Sequence, residues 1–169
     1  MRIVNQLLIA NDQLIIDNAF GGKMKATIRQ VKGLSLVGKA DSNHWVPMDA
    51  IEDVGGNNAA SRAIELVLLG LGGCTSMDVL SIMAKKRAPV QDFEMEIDAE
   101  QATEHPKVFT KIKLNYIFYG DKEKIRAKDI ERAIELSRDT YCPVSNMLKH
   151  SVPIEHTYEV REIRPSNQQ

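Results

Sequence analysis

The segment SRAIELVLLGLGGCTSMDVLSIMAKKR, residues 61–87, decides how the rest of the chain is read. It contains no proline, opens on Ser61 as an N-cap with Glu65 near the first turn, and ends on Lys85, Lys86 and Arg87, where the helix dipole favours cations. A single long helix stopping before Pro89 is the expectation. Its middle is apolar nearly all round, the pattern of a helix buried on most faces. Gly70, Gly72 and Gly73 each cost about 1 kcal/mol in helix propensity relative to alanine, so something must gain from their missing side chains.

Working outward, the Gly55-Gly56-Asn57-Asn58-Ala59-Ala60 run before this helix reads as linker. Residues 7–16 and 26–38 are rich in β-branched and aliphatic side chains and are punctuated by Gly21-Gly22, Gly33 and Asp41-Ser42-Asn43, which predicts short N-terminal antiparallel strands within residues 1–55. After the helix, residues 93–100 and 109–119 alternate like strands around Thr103-Glu104-His105-Pro106, a hairpin within 90–120. Within 124–163, residues 124–139 form an amphipathic helix with Ile125, Ile130, Ala133, Ile134 and Leu136 on one side. A short helix begins at Pro143, and 154–163 is a last strand. The order predicts one α+β domain over residues 1–169, with antiparallel sheet elements around a long buried helix.

With 22 basic and 23 acidic residues spread along the chain, no basic face exists for phosphate backbones or anionic lipid. Nucleic acid is not an expected partner. The start lacks a secretory-signal pattern, and the apolar run 66–74 is about half the roughly 20 residues of a membrane span. A soluble, cytoplasmic protein is expected, with two distant cysteines kept reduced at rest and any disulfide between them transient.

The two cysteines sit in different settings. Cys142 precedes Pro143, so it falls at a helix N-cap, where free backbone N–H groups favour a thiolate. Cys74 follows Gly72-Gly73, which would let a backbone or a small substrate come close to its sulfur, and a buried thiol there needs a nearby positive group to ionise. Free cysteine is often simply a small buried hydrophobe, and that reading stands beside the reactive one. Cys142, His150 and His156 could supply metal ligands, but they have no compact ligand spacing, and no metal or cofactor is expected. Asp78, one turn after Cys74, could tune or repel a thiolate; such residues more often make a polar contact in a core, and it is not counted among the site residues.

Glu65-Leu66 with Leu68-Leu69-Gly70-Leu71-Gly72-Gly73-Cys74-Thr75 resembles the first-cysteine helix of the OsmC/Ohr superfamily, and Tyr141-Cys142-Pro143-Val144-Ser145-Asn146 resembles its second-cysteine motif. His105-Pro106 with Phe109, Ile112, Tyr116 and Gly120 is similar to the hairpin between them. The resemblance implies an intertwined homodimer and a thiol-dependent peroxidase reducing organic hydroperoxides or hydrogen peroxide. Cys74 would be the attacking thiol, Cys142 its resolving partner, Glu65 a carboxylate that orients the cationic group, and an external dithiol the reductant. It also implies an arginine from the N-terminal strands. The matching stretch, residues 37–45, has none, which leaves Lys39, His44 and Arg29 as candidates. A redox-sensing or ligand-binding protein without turnover, and a structural dimer with inert cysteines, are the alternative functions.

Overall fold

The computed structural model describes residues 22–162, which divide into two compact units at Ala63/Ile64. The expected strand at 7–16 lies outside the described residues.

In the first unit, β1 (Ala26–Lys32) and β2 (Ser35–Ala40) form an antiparallel hairpin turned at Gly33, whose φ of +57° suits glycine. The short β3 (Val46–Met48) pairs antiparallel with β2, Gly38 opposite Val46. The stretch that reads as a linker is tightly folded instead. The buried Asp49 carboxylate accepts backbone N–H bonds from Ala50 (2.8 Å), Asn57 (3.1 Å) and Ala59 (3.1 Å). A Cβ on Gly56 would lie 2.0 Å from the Ala50 carbonyl oxygen, so the glycine there permits close packing rather than flexibility.

All of α1 (Ala63–Lys85) after its first residue belongs to the second unit. Ser61 lies just before the helix, its carbonyl accepting from the Asp49 N–H, so the helix starts about one residue later than an N-cap at Ser61 would set. A three-stranded sheet follows, ordered β4 (Val90–Gln101), β5 (Phe109–Gly120), β6 (Ile154–Arg161). β4 and β5 make the expected antiparallel hairpin, but β6 lies parallel to β5, Ile112 opposite Ile154 and Tyr116 opposite Tyr158. The sheet is therefore mixed, not antiparallel. Period-two patterning places a strand's faces but carries no direction; the crossover through α2 (Ala127–Leu136) and α3 (Pro143–Leu148) is what makes the return parallel.

β5 is central, and its alternate residues Ile112, Leu114, Tyr116 and Phe118 are fully enclosed against Leu71, Val79 and Met83 of α1 and Ile130 and Ala133 of α2. The long apolar helix expected to be buried is covered by this chain on one side. Within the chain α1 buries the side bearing Leu71, Gly72, Thr75, Val79, Ile82 and Met83, whereas Met77 (74% exposed) stands on the opposite side and Leu69 (59% exposed) at its flank. Although its uninterrupted apolar run is short, α1 as a whole is long and apolar enough to cross a membrane by length and composition alone, but its buried side is part of this core. At its end Lys86 bonds the buried Asp129 of α2 at 3.0 Å, and Arg126 bonds the other carboxylate oxygen at 2.6 Å; Lys86 is the main cause of the Asp129 carboxyl's lowered pKa.

Candidate thiol site

Three local features bring the sulfurs together. α1 packs closely on β4 because Gly72 has no side chain: a Cβ there would lie 2.5 Å from Ile97 Cδ1. This sets the level of Cys74 over the sheet, and Thr75, fully buried, lies one residue further along the same helix. After α2 the chain widens into a π-turn, Ser137–Tyr141, which ends at Cys142. Cys142 is then the N-cap of α3, with Pro143 in the first turn, as the sequence predicts. Its sulfur accepts from the Ser145 N–H at 3.3 Å and lies 3.4 Å from the Thr75 hydroxyl.

Cys142 is fully enclosed; Cys74 is half-buried. Their sulfurs and a carboxylate oxygen of Asp78 all lie within 4.8 Å of one another. Burial, followed by the hydrogen bond with Cys142, raises the Cys74 thiol to about 11; the backbone at Val144 works against this, and the charges of Cys142 and Asp78 add to it. Burial raises the Asp78 carboxyl too, opposed by the Ser137 hydroxyl, which donates to Asp78 Oδ2 at 3.1 Å. The residue set aside from sequence thus belongs to the cluster. Its helical spacing from Cys74 was visible, but its approach to Cys142, in a distant segment, was not.

Glu65 is half-buried in the first turn of α1, where it suits the dipole. Nine residues before Cys74, it stands about 13 Å away along the axis, so its own helix does not bring it to the sulfurs. Lys39, Arg29 and His44 belong to the first unit. Lys39 donates to Asn43 Oδ1 at 2.6 Å and lies 5.0 Å from the Trp45 ring centre; Arg29 lies 5.8 Å from the same ring, and His44 is exposed.

Behind the thiols, Tyr116 of β5 and His156 of β6 form a pair that sequence reading missed, 40 residues apart, with Tyr116 Oη 2.9 Å from His156 Nδ1 and the rings stacked. Burial raises the Tyr116 phenol well above its usual range, with a smaller contribution from Cys142. Burial, with Arg138 adding, lowers His156 to about 4, and its Nε2 is buried with no hydrogen-bond partner among the described residues. The unfolded chain takes up this proton below about pH 6.5 and the native chain refuses it until about pH 4. The pair's contribution to stability is therefore complete above 6.5 and is lost as pH falls toward 4. It amounts to at most about 3 kcal/mol, because the imidazole is partly solvated. Urea unfolding across that window should give a smaller pH slope for His156→Gln than for wild type; equal slopes would mean that the imidazole is not held neutral.

An α+β unit with one thiol on a long helix and a second at the N-cap of a short helix defines a two-cysteine protein of a recognisable class. The chain belongs to the OsmC-like protein family, whose model matches residues 55–157. It is 38% identical to Protein YhfA of Escherichia coli over 137 residues, covering 81% of this chain and 98% of that one. Among solved structures it is similar to a hypothetical protein of Aquifex aeolicus (TM-score 0.73, 24% identity, 85% of this chain and 99% of the other). It is also similar to an organic hydroperoxide resistance protein OsmC of Legionella pneumophila (TM-score 0.62, 15% identity, 82% and 98%).

Proposed function

We propose that the protein is a thiol-dependent peroxidase that reduces organic hydroperoxides or hydrogen peroxide through Cys74 and Cys142. The observation that carries the reading is the convergence of two sulfurs from separate helices to within 4.8 Å, close enough for a disulfide after a small side-chain movement. The Legionella pneumophila protein of similar fold is named an organic hydroperoxide resistance protein, which points the same way.

In this mechanism the half-buried Cys74 meets the peroxide. Its thiolate attacks one oxygen, an S–O bond forms as the O–O bond breaks, and the departing oxygen takes up a proton to leave as alcohol or water. Cys142, steadied by the Ser145 N–H and beside the Thr75 hydroxyl, then attacks the sulfenic sulfur. A disulfide forms and water leaves. An external dithiol restores both thiols by exchange and is itself oxidised. We also propose that the protein works as a homodimer in the cytoplasm, with a second copy over the outer side of α1 and Glu65 orienting a cation, as in the family it resembles.

One observation favours a second reading, a redox-sensing or ligand-binding protein with little turnover. Burial and the neighbouring Cys142 and Asp78 hold the Cys74 thiol above its ordinary range, so its thiolate is scarce at neutral pH and fast turnover needs a positive charge supplied to Cys74. The test of the shared chemistry is one equivalent of peroxide added to the reduced protein, followed by mass spectrometry of a non-reduced digest. A Cys74–Cys142 peptide is expected. Finding Cys74 over-oxidised with Cys142 untouched would remove the resolving role.

A further inference from the structure

The cluster of Cys74, Cys142 and Asp78 has a second chemical reading that does not depend on peroxide turnover. Three atoms with no separation above 4.8 Å always have a point within 4.8/√3, or about 2.8 Å, of each. Zinc sits about 2.3 Å from thiolate sulfur and about 2.0–2.2 Å from carboxylate oxygen, so the sulfurs need close in by at most about half an ångström and the carboxylate oxygen by at most about 0.8 Å. Two sulfurs and one carboxylate suit a thiophilic ion of borderline softness and disfavour magnesium and calcium, which take oxygen shells.

The donors are also held from behind, as metal ligands are. Ser137 Oγ donates to Asp78 Oδ2 at 3.1 Å, which leaves Oδ1 for another partner. The Ser145 N–H fixes the Cys142 sulfur. All three groups are negative in their ligating forms. Arg138, next in sequence to Ser137, is engaged in a two-pronged pair with Asp139 at 2.8 and 2.7 Å. The partial exposure of Cys74 and Asp78 gives an ion a way in and leaves a fourth position for water.

We propose that the reduced protein binds one divalent ion of the zinc type through Cys74 Sγ, Cys142 Sγ and the Asp78 carboxylate. Binding releases the two thiol protons and forms two metal–sulfur bonds and one metal–oxygen bond. It excludes the disulfide, because each state uses the same two sulfurs. Metal occupancy and oxidation of the site are thus alternatives, and the ion shields the thiols from peroxide.

The test uses the full chain, reduced and stripped of metal, titrated with Zn²⁺ against a chromophoric chelator. One ion per chain is expected. Cys74→Ser and Cys142→Ser should each weaken binding by at least about a hundredfold and Asp78→Asn by at least about tenfold. The peroxide-oxidised chain should not bind. Co²⁺ added to wild type should give sulfur-to-metal charge-transfer absorption, a readout that needs no variant to fold. No binding, no such absorption, or unchanged affinity in Asp78→Asn would each overturn the three-ligand site. Zinc binding without peroxide turnover would leave this site standing and remove the peroxidase reading, while turnover without zinc binding would do the reverse.

Discussion

Cys74→Ser is expected to reduce peroxide consumption to the buffer background even in a single-turnover assay. A serine hydroxyl at this position cannot form the sulfur anion that attacks the O–O bond. Cys142→Ser is expected to behave differently. Cys74, the more accessible of the two sulfurs, still reacts once, and with no resolving thiol beside it the sulfenic acid persists until dimedone traps it or a second peroxide carries it to the sulfinic acid. Steady-state turnover in that variant falls to the rate at which the external reductant attacks the sulfenic acid directly. The roles rest on access: Cys142 is fully enclosed, whereas Cys74 is half-buried. Reversed phenotypes would exchange the roles while keeping the dithiol chemistry. If both variants consume one equivalent as fast as wild type, neither sulfur is the nucleophile and the peroxidase reading falls.

Access and ionisation pull in different directions at this site. Cys74 can be reached, but burial and its two acidic neighbours disfavour its anion. The same three groups become mutually compatible once a cation stands among them. A side-chain cation would make the site a peroxidase, and a bound metal ion would make it a protected reservoir of thiols. Both depend on the same electrostatic deficit.

What was legible in the sequence follows from what is local. The Cys142-Pro143 pair placed a cysteine at an N-cap because capping depends on a few consecutive residues, and the strand and helix periods placed β4, β5, α1 and α2 to within a few residues. The parallel pairing of β6 and the Tyr116–His156 contact depend on how the chain returns, which no window of sequence contains. Asp78, one turn after Cys74, reads from sequence as a residue that more often makes a polar contact in a core; its meaning comes from Cys142, 64 residues away in the chain. The composition of residues 55–60 suggested slack, yet three backbone N–H groups in and around that loop converge on Asp49. Gly, Asn and Ala permit a tight loop as readily as a flexible one.

The three glycines of α1 meet different surroundings. Gly72 faces β4, where a Cβ would lie 2.5 Å from Ile97 Cδ1 and 3.5 Å from Met95 Cγ, while a Cβ on Gly70 or Gly73 meets nothing within 4 Å among the described residues. Gly72→Ala should be nearly neutral: the end of the Ile97 side chain can move, and the gain of about 1 kcal/mol in helix propensity offsets the crowding. Gly72→Val adds two methyls on the same side, which must push α1 off the sheet, and should cost about 2–3 kcal/mol, read as a lower urea midpoint at any protein concentration. Met77, on the opposite side and 74% exposed within the chain, provides the contrast. Met77→Glu should leave the urea midpoint of the single chain unchanged, because the new carboxylate stands in water. In a dimer with a second copy over that side, the same charge is desolvated without a partner, at a cost of several kcal/mol. Sedimentation should then show wild type as a dimer and Met77→Glu as a folded monomer. A wild-type chain that sediments as a folded monomer at micromolar concentration removes the dimer, and a Gly72→Val midpoint equal to wild type removes the close packing of α1 on β4.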